Sequence, residues 1–315
     1  MKPFPDAEKY IFKEKFIERY SKLTDWEIFK KYTLSFLRKS IRVNTLKTDV
    51  KSVVRRLEKD WILEQVPWCK EGFFLEHKEG RLDVGNTVEH TLGYYYVQEA
   101  ASMIPPVVLE PVPGDIVLDM AASPGSKASQ ICQYMKNQGV LIANDVKGDR
   151  LAALGINLQR TGSYNNVITL MQGQQFAKSN ILFDKVLLDA PCSGTGTIRK
   201  SPKTIMMWNP DMVKRLAKMQ RQLIMTAFNI LKPGGTLVYS TCSTEPDENE
   251  AVVSYLLEHA KGARMSEIKL PIKRGPVILE FEGEIYNPEV KHCLRLWPQD
   301  NDTEGFFVAK ITKEE

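Results

Sequence analysis

The most constraining feature of this chain is a regular alternation of short apolar runs and helical stretches that begins at Asp115. The runs are of strand length, and amphipathic segments of helix length lie between them. The five runs cover residues 116–120, 140–145, 167–171, 184–189 and 236–240. Such alternation builds a parallel sheet with helices on both faces. We therefore expect an α/β fold, a Rossmann-like doubly wound sheet, closed by a hairpin of two last strands at 294–297 and 306–311.

The amino-terminal part predicts a smaller α+β unit. Residues 6–23 carry apolar side chains at helical spacing, and Thr24 with Glu27 forms a capping box that predicts a second helix. A strand at 41–45, a helix at 50–59 and strands at 62–66 and 73–76 follow. This succession is similar to an RNA-recognition motif (RRM), without its aromatic signature. Prolines near residue 105 predict a hinge. The expected division is amino-terminal helices at 1–40, a small α+β domain at 41–92 and the large domain at 93–315.

Basic charge is concentrated in the amino-terminal part. Residues 1–60 hold 16 Lys and Arg against nine Asp and Glu, whereas the whole chain has a net charge of only +4. The basic residues alternate with aromatic ones, a pattern suited to phosphates and stacked bases. The residues are Lys30, Lys31, Arg38, Lys39, Arg42, Arg55 and Arg56, with Trp26, Phe29, Tyr32 and Phe36. RNA is the expected partner; the alternative is that these are ordinary solvated faces of amphipathic helices.

Other features argue against several classes of protein. No stretch approaches the roughly 18 to 20 uninterrupted apolar residues that span a bilayer, and the first ten residues are too charged for a secretory signal. The five cysteines lack CxxC spacing and a nearby histidine cluster, which fits neither a disulfide framework nor a zinc site. We expect a cytoplasmic protein, a monomer with reduced thiols, without membrane association or bound metal.

The first strand of the large domain ends in LDMAASPGSK, which predicts a ligand site. Gly125 lets the backbone turn closely, and the helix after it points its amide groups at an anion. A single glycine fits a dinucleotide pyrophosphate poorly and suits a carboxylate, as in S-adenosylmethionine. Asp145 ends the second strand twenty residues beyond Gly125, where an acid can accept both ribose hydroxyls of an adenosine. The alternative for Asp145 is a simple turn-starting aspartate.

Two cysteines follow the ends of consecutive strands. Cys192 lies three residues beyond the strand that ends at Asp189, and Cys242 lies two residues beyond the next. Consecutive parallel strands are commonly neighbours, so we expect both thiols above one crevice beside the cofactor. Carbon 5 of cytosine or uracil accepts a methyl group only after a thiolate has added to carbon 6, and that thiolate must later be expelled. The residues alone do not say which cysteine attacks.

The surroundings of the cysteines allow two further predictions. Glu245, Asp247 and Glu248 follow Cys242 and would oppose a thiolate there, whereas the start of the following helix would favour it. The other three cysteines are expected to be small buried apolar residues. These are Cys69, Cys132 and Cys293.

Together, these motifs resemble the Sun/RsmB family of RNA (cytosine-5) methyltransferases, and within it the archaeal tRNA enzymes. The resemblance runs from about Ser40 to Ala251, in SIRVNTLKT, VQEAAS, LDMAASPGSK, NDVKGDR, LLDAPCSGTG, the KPGG turn and STCSTEPDENE. It implies transfer of a methyl group from S-adenosylmethionine to carbon 5 of cytosine in RNA, with tRNA favoured. The alternatives are rRNA as substrate, or a non-catalytic RNA-binding assembly factor. Methylation of an exocyclic amine or of protein glutamine would call for an NPPY-like motif where DAPC stands.

The resemblance also implies roles for individual residues. Cys242, in TCS, is the covalent nucleophile, Cys192, in PC, assists product release, and Asp189 lies beside the methyl group and hydrogen-bonds the base. The implied cofactor residues are Ala121, Ala122, Ser123, Pro124, Gly125, Ser126, Lys127, Asp145, Arg150, Gln172 and Asp189. Ser126 replaces a frequent second glycine, and Gln172 replaces an aspartate that usually holds the adenine amino group. Because the carbonyl of Gln172 can still accept, we expect altered affinity and not lost binding.

Overall fold

Two short helices open the chain in the computed structural model, which describes residues 2–314. They are α1 (Glu14–Leu23) and α2 (Trp26–Thr33). The helix predicted over 6–23 is therefore shorter at its start, where only a 3₁₀ turn at Ala7–Lys9 forms. Helix α2 is capped by Asp25 instead of Thr24, because the Asp25 carboxylate accepts the backbone N–H of Ile28 at 3.0 Å.

The small domain is a four-stranded antiparallel sheet with two helices. Its elements are β1 (Lys39–Val43), α3 (Val50–Leu57), β2 (Trp61–Gln65), β3 (Gly72–His77), α4 (Val88–Thr91) and β4 (Tyr95–Val97). The strand order β2-β3-β1-β4 and the βαββαβ succession confirm the predicted RRM-like arrangement. The predicted boundary between the small and the large domain, at residue 92, precedes β4. It therefore assigns β4 to the large domain, although β4 is hydrogen-bonded to β1 of the small sheet.

The large domain contains a mixed sheet whose centre is parallel. Its first elements are α5 (Ile104–Leu109), β5 (Ile116–Asp119), α6 (Ser126–Tyr134), β6 (Val140–Asp145), α7 (Gly148–Thr161), β7 (Asn166–Leu170) and β8 (Phe183–Asp189). Then come α8 (Lys203–Met207), α9 (Pro210–Asn229), β9 (Leu231–Thr241), α10 (Glu250–His259), β10 (Ala263–Ser266), β11 (Glu280–Phe281), β12 (Glu284–Ile285), β13 (Leu294–Leu296), α11 (Pro298–Asn301) and β14 (Phe306–Lys313). The predicted hinge is instead the buried helix α5, since prolines are tolerated in a first helical turn.

The order of strands in the large sheet decides where the loops meet. It is β10-β14-β9-β8-β5-β6-β7, in which β9 to β7 are parallel, while β10 and β13 pair antiparallel with β14. One apolar core packs α9 and α10 on one face, and a second packs α5 and α6 on the other. The doubly wound sheet and its closing hairpin are thus confirmed, with β10 as a strand that the sequence did not reveal.

The amino-terminal helices pack on the large domain and not on the small sheet. Phe16, Tyr20 and Phe29 form one apolar cluster with Trp208 and Trp297. This placement corrects part of the predicted RNA-binding pattern, because Phe29 has no exposed surface. Arg42 is also fully buried, and its guanidinium donates to Gln98, Ser126, Ser129 and Gln130. Both residues stabilise the fold and are unavailable to RNA.

Candidate active site

The two predicted cysteines meet at the carboxyl ends of β8 and β9. These strands are parallel neighbours, with Asp189 opposite Ser240. The Sγ atoms of Cys192 and Cys242 lie 3.2 Å apart as free thiols. The strand-end argument therefore predicted their convergence correctly. The other three cysteines are buried, as expected.

Asp189 lies beside the cysteines and is ion-paired with Lys127. The Lys127 Nζ atom donates to Asp189 Oδ2 at 2.7 Å, and the Ser240 hydroxyl donates to Oδ1 at 2.7 Å. Burial lowers the pKa of Lys127, but the charges of Asp189 and of Cys242 outweigh it and hold that pKa above its usual value. The ammonium group therefore remains charged beside the thiols. Lys127 is thus directed at Asp189, a partner that its place in the SPGSK loop did not indicate.

Cys192 remains a neutral thiol. Its hydrogen bond to Cys242 and its burial raise the pKa of Cys192 well above 9. Two side chains hold the peptide groups that flank it: Gln220 donates to the carbonyl of Pro191 at 2.8 Å, and Glu248 accepts the N–H of Ser193 at 2.9 Å. Sequence reasoning missed both. Gln220 is a polar residue on the buried stripe of α9, between Ala217 and Ile224, which is a signal that could have identified it.

The loop after Cys242 is tied to the loop after Cys192. The Gly196 N–H donates to the Cys242 carbonyl at 2.9 Å, and the Thr244 N–H donates to the Thr195 hydroxyl at 2.9 Å. Gly196 has to be a glycine, because a Cβ there would lie 2.1 Å from the carbonyl oxygen of Gly305. The glycines of the GTGT segment therefore allow the close backbone approach that fixes Cys242.

Two of the acids after Cys242 have partners in α1. Glu245 is fully buried and accepts from Arg19 (2.7 Å), Trp208 (2.7 Å) and Tyr20 (3.0 Å). Asp247 is ion-paired with Arg19 as well. Helix α10 begins only at Glu250, eight positions after Cys242. Glu245 and Asp247 thus tie the loop after Cys242 to α1, and a 3₁₀ turn at Pro246–Glu248 precedes α10.

A cavity of about 300 Å³ lies at the carboxyl ends of β5, β6 and β8. Of the predicted cofactor residues, four line it: Ala121, Asp145, Arg150 and Gln172. Apolar side chains supply much of the remaining wall, namely Met120, Leu188, Met219 and Leu223. Its size and its few convergent polar groups suit an adenosine-containing ligand. Two larger open grooves, of about 730 and 880 Å³, are lined by neither Cys192, Cys242 nor Asp145.

The rest of the predicted cofactor loop is bonded to Asp145, one of the residues that line this cavity. The Ser123 N–H donates to Asp145 Oδ2 at 3.3 Å, and Arg150 pairs with the same oxygen at 3.3 Å. Gly125, with φ of 106°, precedes α6, which begins at Ser126. Ala122, Ser123, Pro124, Gly125, Ser126 and Lys127 are not among the residues that line the cavity.

Two buried polar residues beside this cavity were not predicted. Asn144 donates to the carbonyls of Met120 and Met171, both at 3.0 Å, and so joins the ends of three strands. Asp119, at the end of β5, is fully buried, and its carboxylate has no hydrogen-bond partner among residues 2–314. Burial and the charge of Asp189 raise the pKa of Asp119 to about 7.

Comparisons with known proteins show the family of this chain. A model of the family described as 16S rRNA methyltransferase RsmB/F matches residues 106–312, and a model of the N-terminal domain of 16S rRNA methyltransferase RsmF matches residues 12–100. The chain belongs to the RsmB/F family. This membership confirms the predicted family, the class of S-adenosylmethionine-dependent RNA (cytosine-5) methyltransferases and the methyl donor.

Individual relatives span the chain to different extents. It is 48% identical over 301 residues to the tRNA (cytosine(49)-C(5))-methyltransferase of Pyrococcus abyssi, which covers 95% of this chain and 96% of that protein. It is 43% identical over 282 residues to ribosomal RNA small subunit methyltransferase F of Aliivibrio fischeri, over 88% of this chain but 58% of that protein. A crystal structure of a methyltransferase homolog protein from Pyrococcus horikoshii superposes with a TM-score of 0.87 at 37% identity, over 98% of this chain and 99% of that one.

Two general properties of the described chain complete the comparison. None of the helices between residues 2 and 314 combines the length and the apolar character that crossing a membrane requires. Within the same residues, no group of three or more His, Cys, Asp or Glu side chains is arranged to hold a metal ion.

Proposed function

We propose that this chain methylates carbon 5 of cytosine in tRNA through a covalent bond between Cys242 and carbon 6 of the base. The observation that supports this best is the 3.2 Å separation of the Cys242 and Cys192 sulfur atoms next to the Asp189–Lys127 ion pair. A base bound there would have a nucleophile, a second thiol and a carboxylate within one pocket.

Attack on the base is the task of Cys242. Its thiolate forms a bond to carbon 6, and the electron pair of the 5,6 double bond makes carbon 5 nucleophilic as an enamine. Lys127 stays charged beside the thiols, because Asp189 holds the pKa of its ammonium group above the usual value. Asp189 holds the base, because each carboxylate oxygen keeps a lone pair beyond its bond to Lys127 or Ser240. S-adenosylmethionine, when bound, supplies the electrophilic methyl group.

Product release is the task in which Cys192 takes part. A base must remove the proton from carbon 5, and the bond from carbon 6 to the Cys242 sulfur must break so that the thiolate departs. Cys192 stays protonated because its pKa is raised well above 9. Its S–H group can therefore donate to the departing Cys242 sulfur and stabilise the thiolate that forms.

The methyl donor would occupy the cavity beside Asp145. Asp145 Oδ1 accepts only the Lys147 N–H and retains capacity for a ribose hydroxyl. Gln172 at the rim can accept from the adenine amino group. Ala121 would contact the methyl donor, whereas the segment Ala122 to Lys127 would support Asp145 through the Ser123 N–H. We also expect a cytoplasmic monomer that works without a metal ion.

The similarity pattern favours tRNA over rRNA. The Pyrococcus abyssi relative named as a tRNA (cytosine(49)-C(5))-methyltransferase matches this chain along nearly its whole length, whereas the chain spans 58% of the rRNA relative. Cytosine 49 of tRNA is therefore the first position to test.

Mapping of 5-methylcytosine tests the proposal. The purified protein is incubated with S-adenosylmethionine and either unmodified tRNA or 16S rRNA, and the RNA is sequenced after bisulfite treatment. We expect modification of tRNA by the wild type and none by Cys242→Ser. Modification of rRNA alone would reassign the substrate. If neither RNA is modified, a non-catalytic assembly role becomes the better interpretation.

A further inference from the structure

Glu248 and Gln220 form a clamp around Cys192, although neither contacts its sulfur. Gln220 Nε2 donates both to the Pro191 carbonyl (2.8 Å) and to Glu248 Oε1 (3.0 Å). The same Glu248 oxygen accepts the Ser193 N–H at 2.9 Å. The residues before and after Cys192 are thus held by two side chains that are bonded to each other.

Both carboxylate oxygens of Glu248 accept hydrogen bonds. Its other oxygen, Oε2, accepts from the hydroxyl groups of Ser193 and Ser243, the latter at 2.6 Å. Four donors on one carboxylate match the acceptor-only character of an ionised glutamate. The side chain is fully buried, and burial raises the pKa of Glu248 to about 7. The hydrogen bonds from Ser193 and Ser243 favour the ionised form of Glu248, whereas burial opposes it.

The two cysteine loops depend on Glu248 to different degrees. Ser243, next to Cys242, is also held by Asn249, which donates to its carbonyl at 2.9 Å, and by Thr241, which accepts its N–H at 3.2 Å. Ser193, next to Cys192, bonds through both its N–H and its hydroxyl to Glu248. Loss of Glu248 therefore releases the Cys192 side while the Cys242 side keeps other anchors.

We propose that Glu248, with Gln220, is a positioning residue that places the Cys192 thiol for product release. The inference rests on the roles proposed above for the two cysteines. A displaced Cys192 leaves attack and methyl transfer by Cys242 largely intact, but it leaves the departing thiolate without its donor. The covalent protein–RNA adduct should then persist.

The first experiment separates the two steps. Single-turnover methyl transfer, steady-state turnover and covalent adduct are measured for Glu248→Ala, for Glu248→Gln and for Gln220→Leu, which removes the shared donor. We expect turnover of Glu248→Ala to fall roughly 10- to 100-fold, as misplacement of a reacting group by about 1 Å does, with the first methyl transfer nearly unchanged. The adduct should accumulate. Glu248→Gln and Gln220→Leu should show the same split more weakly. Equal loss in both steps would contradict the proposal.

The second experiment needs neither RNA nor cofactor. Diamide converts two thiols at contact distance into a disulfide: the S–S bond forms, and the two hydrogens pass to the N=N bond, which becomes a hydrazine. The rate is followed by titration of the remaining thiols after denaturation, with Cys192→Ser as the blank. We expect rapid oxidation of the wild type and oxidation slowed at least severalfold in Glu248→Ala.

Glu71→Gln is the matched control. Glu71 is also a buried acid, but it lies between β2 and β3 of the small domain, where its carboxylate accepts from the Tyr134 hydroxyl at 3.2 Å. This variant should lose thermal stability and keep the wild-type oxidation rate.

If Glu248→Ala oxidises as fast as the wild type, the clamp is refuted whatever the RNA results. If oxidation slows without adduct accumulation, the assignment of Cys192 to release fails instead. Should Glu248→Ala not fold, Gln220→Leu decides both questions.

Discussion

The loops that carry Cys242 and Cys192 lie side by side, yet they are held in different ways. The Cys242 loop is bonded to distant parts of the chain: Glu245 to Arg19 in α1, and the Thr244 carbonyl to Arg295 at 2.9 Å. The peptide groups that flank Cys192 are held by Glu248 and Gln220, which are bonded to each other. The Cys242 loop is thus held by α1 and β13, whereas the two peptide groups that flank Cys192 are held by a single pair of side chains.

The largest effects should come from the cysteines themselves. Cys242→Ser should abolish methylation and form no adduct, because a serine hydroxyl is not a comparable nucleophile. Cys192→Ser should lower turnover by about 10²- to 10⁴-fold, the usual contribution of a proton-transferring group, and should accumulate adduct. Denaturing gel electrophoresis with labelled RNA measures both. Adduct in Cys242→Ser and none in Cys192→Ser would exchange their roles.

Arg19→Met tests the long-range side of the comparison. Arg19 is buried, and its loss leaves the fully buried Glu245 without its cation. We expect a loss of about 3–5 kcal/mol in the free energy of unfolding, typical of one partner removed from a buried pair. Urea denaturation measures it. The control is Arg264→Met, since Arg264 forms an exposed pair with Glu314 that should contribute no more than about 1 kcal/mol. Equal effects would mean that α1 does not anchor the Cys242 loop.

Asp119 extends the comparison to a carboxylate that accepts no hydrogen bond from residues 2–314. Its pKa, like that of Glu248, is raised to about 7, so the folded state holds this proton more tightly than the unfolded state. The resulting stability is present at low pH and is lost as the pH rises through about 7. Asp119→Asn cannot ionise. Its unfolding free energy relative to wild type should rise by about 2–4 kcal/mol between roughly pH 4 and pH 8. A pH-independent difference would show that Asp119 is ionised throughout.

The smallest effects should come from exposed basic residues far from both loops. Lys31 and Arg55 are exposed, whereas Arg42 is buried. If each contacts a phosphate, Lys31→Gln and Arg55→Gln should each reduce the salt dependence of RNA binding by about one unit of slope. Filter binding over a range of salt concentrations measures the slope, with the exposed Lys261→Gln as control. Unchanged slopes would favour the interpretation of these residues as solvated helix faces.

Local patterns allowed much of the fold to be predicted. The five parallel strands of the large sheet lie close to their expected positions because each is an apolar run that ends in a turn motif. Cys192 and Cys242 were predicted to meet because consecutive strand ends share one edge of the sheet. The predicted cap at Thr24 was wrong because Asp25 offers a carboxylate one residue later, and β10 was missed because ARMS has little strand character.

The site's supporting residues were not predicted because their partners are distant in the chain. Lys127 occupies a cofactor-loop position but pairs with Asp189, and Glu248 resembles any other acid in PDENE until Ser193 and Gln220 surround it. Arg42 is basic, as residues that contact RNA commonly are, but its side chain is buried in the core. Charge and residue type do not reveal burial.

The sequence by itself determined the doubly wound sheet, the strand ends that carry the two thiols and the family to which the chain belongs. Periodicity and turn chemistry are local, and they are written in consecutive residues. The tertiary structure alone decided that α1 bonds to the Cys242 loop, that Lys127 is ion-paired with Asp189 and that Glu248 accepts a hydrogen bond from Ser193, next to Cys192. Those contacts depend on which surfaces become buried against one another, and burial is a property of the whole folded chain.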